Sequence, residues 1–113
     1  MELTFVYLRG FVSEWKRLGL TDADLQALEA AIGKAPEAAP VMKGAGGLRK
    51  IRFAPPSMHM GKRGSMRVGF AYYRVKSAVF VVAIFPKNEA SNFSNAERTE
   101  IARELKLLER NFK

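Results

Sequence analysis

Residues 78–85 read Ala-Val-Phe-Val-Val-Ala-Ile-Phe, an unbroken apolar run with no position to offer to water. A half-exposed strand alternates polar and apolar residues, so a continuous β-branched and aromatic run predicts a central strand covered on both faces. That strand is the spine of a sheet, and the rest of the 113 residues must supply its neighbours. The run is also far shorter than the roughly 20 apolar residues a membrane-spanning helix needs.

The elements around the spine follow from periodicity and punctuation. Leu3 to Leu8 is a short β-rich run, and Phe11, Trp15 and Leu18 fall at i, i+4 and i+7, the stripe of a short helix. Gly19-Leu20-Thr21 breaks it. Thr21 with Asp24 has the form of a capping box opening a second helix through Leu25, Leu28 and Ile32, which Gly33 and Pro36 end. Pro40 to Lys43 reads as a brief edge strand before the turn Gly44-Ala45-Gly46-Gly47. Leu48 to Ala54 alternates, placing Leu48, Lys50 and Arg52 on one face and Arg49, Ile51 and Phe53 on the other. Pro55-Pro56 stops that strand, and Ser57 to Gly64 reads as an exposed loop. Met66 to Val75 is the next strand, turned into the spine at Lys76-Ser77. Ser94 and Glu97 form a second capping box, and Ile101, Leu105, Leu108 and Phe112 line one stripe of a terminal helix. The order is β-α-α-β-β-β-β-α, an α+β fold in one domain, residues 1–113, with no internal repeat or linker. Two N-terminal helices are expected on one face of an antiparallel sheet, leaving the other face open.

Charge is unevenly distributed. From residue 38 to residue 88 there is no Asp or Glu, yet this stretch holds Lys43, Arg49, Lys50, Arg52, Lys62, Arg63, Arg67, Arg74, Lys76 and Lys87. The flanks carry the other nine basic residues and all eleven acids, so the net +8 belongs to the middle of the chain. Basic residues without local counter-ions repel one another, and a polyanion relieves them. The bland alternative is a merely solvated basic face. With no Cys there is no disulfide, thiolate-metal site or thiol nucleophile, and one His leaves no imidazole pair for zinc or for acid–base chemistry. The start, Met1-Glu2-Leu3-Thr4, has neither a basic segment nor an apolar one after it, so no secretory signal is read and a cytoplasmic location is expected.

Chemistry on a nucleic acid must then come from lysine and arginine. Lys50 and Arg52 project side by side from one strand, and Arg67 on the next strand can converge on them. A lysine can give up its proton and act as an amine base, whereas arginine stays charged and grips phosphate oxygens in pairs. Lys50 is the candidate base and Arg52 and Arg67 the phosphate holders. Each basic residue has a plainer reading as a phosphate contact without chemistry. His59 reads best as an exposed loop histidine, Trp15 as core, and of Tyr72 and Tyr73, which point to opposite faces, one as core. Glu89 can orient Lys87 or simply open the acidic flank, and Gly46-Gly47 resembles a phosphate loop only weakly.

Three blocks in fixed order carry a resemblance: Gly44-Ala45-Gly46-Gly47-Leu48-Arg49-Lys50-Ile51-Arg52, Gly61-Lys62-Arg63-Gly64-Ser65-Met66-Arg67-Val68, and Phe85-Pro86-Lys87-Asn88-Glu89. Together, and with the Trp15 and Leu18 region and the terminal helix, the chain resembles the RelE/HigB family of bacterial toxins. The resemblance implies a small α+β endoribonuclease of a type II toxin–antitoxin system that cuts messenger RNA on the translating ribosome, without metal or cofactor, and is held by a cognate antitoxin. It also implies functional basic residues at Lys50, Arg52, Arg67 and Lys87, with Lys87 at the end of the spine a proton donor or stabiliser for the leaving group, and a messenger RNA on the ribosome makes Arg49, Lys62, Arg63, Arg74 and Tyr73 the expected contacts to RNA or the ribosome. Two departures stand out. Phe85 occupies a position where related sequences often have Tyr, and no Tyr follows Tyr73. The competing reading is a non-catalytic basic module of the same fold, either a gyrase poison like the ParE branch or an inactive binder of RNA or ribosome.

Overall fold

The computed structural model describes residues 2–58, 65–86 and 93–112. Strand β1 (Thr4–Tyr7) leads into helices α1 (Arg9–Arg17) and α2 (Asp22–Lys34). Strands β2 (Leu48–Phe53), β3 (Met66–Tyr73) and β4 (Ala78–Pro86) follow, then helix α3 (Asn95–Asn111). The sheet order is β1-β4-β3-β2, so the apolar run is an inner strand flanked on both edges. The α+β class of the sequence reading stands, and the element order agrees with it except for one strand.

Two features of the sheet differ from that reading. The stretch at Pro40 to Lys43 is no strand but a single bridge, Val41 to Arg49. Pro40 has no N–H to give, and the chain turns almost at once through Gly44 and Gly46, both at positive φ. The sheet is also mixed. The pairs β2–β3 and β3–β4 are antiparallel, but β1 runs parallel to β4, from Thr4 opposite Ala78 to Tyr7 opposite Val81. Helix α2 starts beside Ser57, just past the end of β2, and so runs back against the strands. That return delivers β2, and after two antiparallel reversals β4, in the direction of β1.

The two faces have separate cores. On one, α1 and α2 bring Phe11, Trp15, Leu28 and Ile32 onto Phe53, Met66, Val68, Phe70, Val79, Val81 and Ile84. The other was expected to stay open, but α3 lies on it. Leu105 and the half-buried Ile101, Leu108 and Phe112 pack over Leu48, Ala71 and Phe80. Burial of the α3 stripe holds the helix there, since each fully buried Leu contributes about 1.5–3 kcal/mol. The Gly44–Gly47 turn lets the helix approach: a Cβ on Gly46 would stand 2.8 Å from the Ala102 backbone. Both capping boxes form as the sequence predicts, with Thr21 and Asp24 on α2 and Ser94 and Glu97 on α3.

Candidate functional site

Helix α3 covers only part of its face. At the far end, where β2 ends and β3 begins, the strands place three basic side chains together. Arg52 is the register partner of Arg67, and Lys50 the partner of Gly69, one pair further along the same face. Directly opposed residues in an antiparallel pair have Cα atoms about 5 Å apart, so two guanidinium-bearing strands meet here with like charges opposed. Such an arrangement destabilises the isolated sheet, and an anion offsets it.

A β-bulge completes the row. Gly69 pairs with Ala83 but Phe70 pairs with Val81, so Val82 is an extra residue in β4. Beyond it the alternation of β4 is inverted, which makes Phe85 the partner of Arg67 and puts both on the α3 face. Phe93 then packs edge-on against Phe85, ring centroids 5.3 Å apart, and lies over Gly69, where a Cβ would come within 3.0 Å of its ring. Phe93 therefore separates the basic row from the apolar ground under α3. The Arg98 guanidinium donates to the Phe93 and Lys43 carbonyls and holds this wall to the start of the helix.

The three cations differ in exposure. Arg52 is exposed, Lys50 half-buried, and Arg67 only 7% exposed. The Arg67 Nη1 donates to the Ser65 hydroxyl at 2.9 Å and to the Met66 carbonyl at 3.5 Å. Among the described residues no carboxylate pairs with it. A buried guanidinium met only by neutral oxygens is a site of uncompensated positive charge, which suits an anionic ligand.

The other candidates lie elsewhere or beyond view. Arg49 points to the opposite face, where its guanidinium donates to the Glu37 and Ala39 carbonyls and ties down the chain after α2. Tyr73 is under α3, with its ring edge-on to Phe80 at 5.1 Å; burial, and then the charge of Glu109, push its phenol pKa up. Arg74 sits in a 3-10 turn at the opposite end of the sheet. Tyr72 packs against the α1/α2 core and Trp15 is buried within it, as expected. Lys62, Arg63, His59, Lys87 and Glu89 lie outside the described residues, although Lys87 directly follows Pro86, the partner of Met66. Two concavities, of about 670 and 470 Å³, run between the start of α1 and α3 and are rimmed by Glu97, Glu100 and Glu104; the basic row lines neither. The row is thus a surface platform, suited to a phosphodiester backbone more than to an enclosed small molecule.

One residue escaped the sequence reading. Asp24 is fully buried, and besides capping α2 its carboxylate accepts from the Ser57 N–H at 3.0 Å and the Ser57 hydroxyl at 2.5 Å. Burial alone would raise its pKa, but hydrogen bonds from Ser57 and Thr21 bring it down to about 2. The carboxylate thereby anchors the chain leaving β2 to helix α2, close to where the basic row ends. Only its capping role was visible in the sequence.

The mixed four-stranded sheet, with two helices on one face and a terminal helix on the other, has the fold of the bacterial toxin RelE. No protein-family model matches the sequence. Among solved structures, the chain is similar to a double arginine-to-alanine variant of the E. coli toxin RelE in the free state, with 15% identity, TM-score 0.56, and 93% of this chain and 98% of that one covered. It is also similar to the isolated E. coli RelE toxin, at 17% identity and TM-score 0.52 over 91% of this chain and 99% of that one. The intact E. coli RelBE toxin–antitoxin complex matches at 17% identity and TM-score 0.52, covering 74% of this chain and 94% of that one. At these identities the shared property is the fold.

Proposed function

We propose that this chain is the toxin of a type II toxin–antitoxin pair and that it cuts messenger RNA on the ribosome at the platform formed by Lys50, Arg52 and Arg67. The observation that carries the reading is Arg67, a buried guanidinium with no carboxylate among the described residues, opposed in register by Arg52 and next to a lysine. In the reaction the Lys50 amine takes the proton of a ribose 2′-hydroxyl. The 2′-oxygen attacks the adjacent phosphorus, the bond to the 5′-oxygen breaks, and that oxygen takes a proton from the Lys87 ammonium. Products are a 2′,3′-cyclic phosphate and a 5′-hydroxyl. Arg52 and Arg67 hold the non-bridging oxygens, whose charge grows in the transition state. With a lysine base and no imidazole pair, the chain relies on the ribosome to bring the 2′-hydroxyl in line.

The likeness to the RelBE complex supports a cognate antitoxin as partner. Such an antitoxin inhibits by covering the basic platform with acidic residues or by blocking entry to the ribosome, and complementary charge speeds its association.

Primer extension on messenger RNA after brief induction tests the reading. Discrete new 5′ ends that vanish with Lys50→Ala support it. Growth arrest without new ends favours the non-catalytic binder, a reading to which Phe85 lends weight, because neither it nor Phe93 brings a hydroxyl to the platform.

A further inference from the structure

Asp24, Ser65 and Arg67 are the buried polar or charged residues among those described. Asp24 is absorbed in its cap and its tie to Ser57. Ser65 and Arg67 are bonded to each other, both more than nine-tenths buried, and they stand two residues apart, so their side chains lie on the same face of the chain entering β3.

We propose that Ser65 is a positioning residue that orients the Arg67 guanidinium so that its Nε and Nη2 edge faces a phosphate. A guanidinium has five N–H donors in a rigid plane, and pairs of them match two oxygens of a phosphate. Both hydrogen bonds of Arg67 to the described residues leave from Nη1, one to the Ser65 hydroxyl and one, longer, to the Met66 carbonyl. The Nε and Nη2 donors are therefore the edge left to an anion. The Met66 bond, at 3.5 Å, is too long to fix the plane; the 2.9 Å bond to Ser65 does so. Without the hydroxyl the charge remains but its fork turns, and a phosphate that needs two aligned donors meets one. The inference rests on the reading of Arg67 as the phosphate holder and adds the group that aims it.

The test is a double-mutant cycle on the full chain, read in two ways. In single-turnover cleavage of messenger RNA on programmed ribosomes, Ser65→Ala is expected to lower the maximal rate about 10-fold, the loss typical of one hydrogen bond to a charged group. The ribosome concentration for half-maximal rate should move less than twofold, and Ser65→Thr should restore the rate. In an Arg67→Ala background, Ser65→Ala should cost nothing more, since its target is gone. Independently, the Arg67 Nε–Hε resonance is followed by NMR while inorganic phosphate is titrated. The response should be present in the native chain and in Ser65→Thr and be weakened about 10-fold in Ser65→Ala. Additive rate losses in the cycle, or phosphate binding unchanged by Ser65→Ala, overturn the proposal. If the native chain cuts nothing, the titration decides alone: a response that depends on Ser65 sustains the positioning role and removes the nuclease, and one that does not removes the role. Should Ser65→Ala fail to fold, Ser65→Cys makes the same comparison.

Discussion

The two faces of the sheet are built from alternate residues of the same strands, yet they solve different problems. Under α1 and α2 every inward position of β2, β3 and β4 that reaches the core is apolar, from Ile51 and Phe53 through Val68 and Phe70 to Val79, Val81 and Ile84. Under α3 the pattern changes midway. Leu48, Ala71 and Phe80 are packed, and two to four residues further along β2 and β3 the same face carries Lys50, Arg52 and Arg67. The first face is determined by what it must exclude; the second is divided between what holds the helix and what meets an anion. A substitution should therefore reveal its face by what it damages: stability on the first, chemistry at the open end of the second.

The largest expected effect is on chemistry. Lys50→Ala should reduce cleavage on programmed ribosomes by about 10²- to 10⁴-fold, the usual loss on removing a general base, while the thermal midpoint stays near that of the native chain. Loss of fold in this variant would erase the distinction between the faces. Leu28→Ala, at a fully buried position under the first face, should instead cost about 2–5 kcal/mol in denaturant unfolding, and the folded fraction should cut at the native rate. Binding to the ribosome should fall with salt: about five phosphate contacts on single-stranded RNA give a log–log slope of roughly −3 to −4, whereas a flat response would mean the platform is merely solvated.

Smaller effects sharpen the boundary. The Asp24 carboxyl has a pKa of about 2 in the fold, below its usual value of 3.8, so the stability it confers is complete above about pH 4 and is lost as pH falls to about 2. Asp24→Asn should lower stability at neutral pH and flatten this acid limb, measured as the urea midpoint against pH. The smallest effect has the opposite sign. Arg52→Thr removes one of two opposed like charges and should raise stability by about 0.2–1 kcal/mol in the absence of RNA, even as cleavage slows. A decrease in stability would show that Arg52 is held by the fold and not spent on a ligand.

What could be read from the sequence was local. The spine strand, the alternation that puts Lys50 and Arg52 together, both capping boxes and the core role of Trp15 each depend on residues a few positions apart, where periodicity and punctuation act directly. The parallel pairing of β1 with β4 left no mark, because an edge strand of four residues has the same pattern whichever way its neighbour runs. The bulge at Val82 was hidden for a related reason: in an all-apolar run an inserted residue breaks no alternation, so the partnership of Phe85 with Arg67 emerges only from the register. Arg49, on the other face of β2, was expected to meet RNA or the ribosome, and its role in gripping the Glu37 and Ala39 carbonyls depends on where the connection from α2 to β2 returns. Tyr73 belongs to the ground beneath α3 because that helix docks on a face expected to be bare.

The parallel pairing of β1 with β4 has a consequence in time. Thr4 meets Ala78, 74 residues later, so β1 is made well before the strand it pairs with. At about 5–20 residues per second, synthesis keeps β1 waiting roughly 4 to 15 s for its partner. Throughout that interval β1 lacks the strand it pairs with. Non-local closure of this kind slows folding and leaves a nascent chain open to whatever binds an unpaired strand.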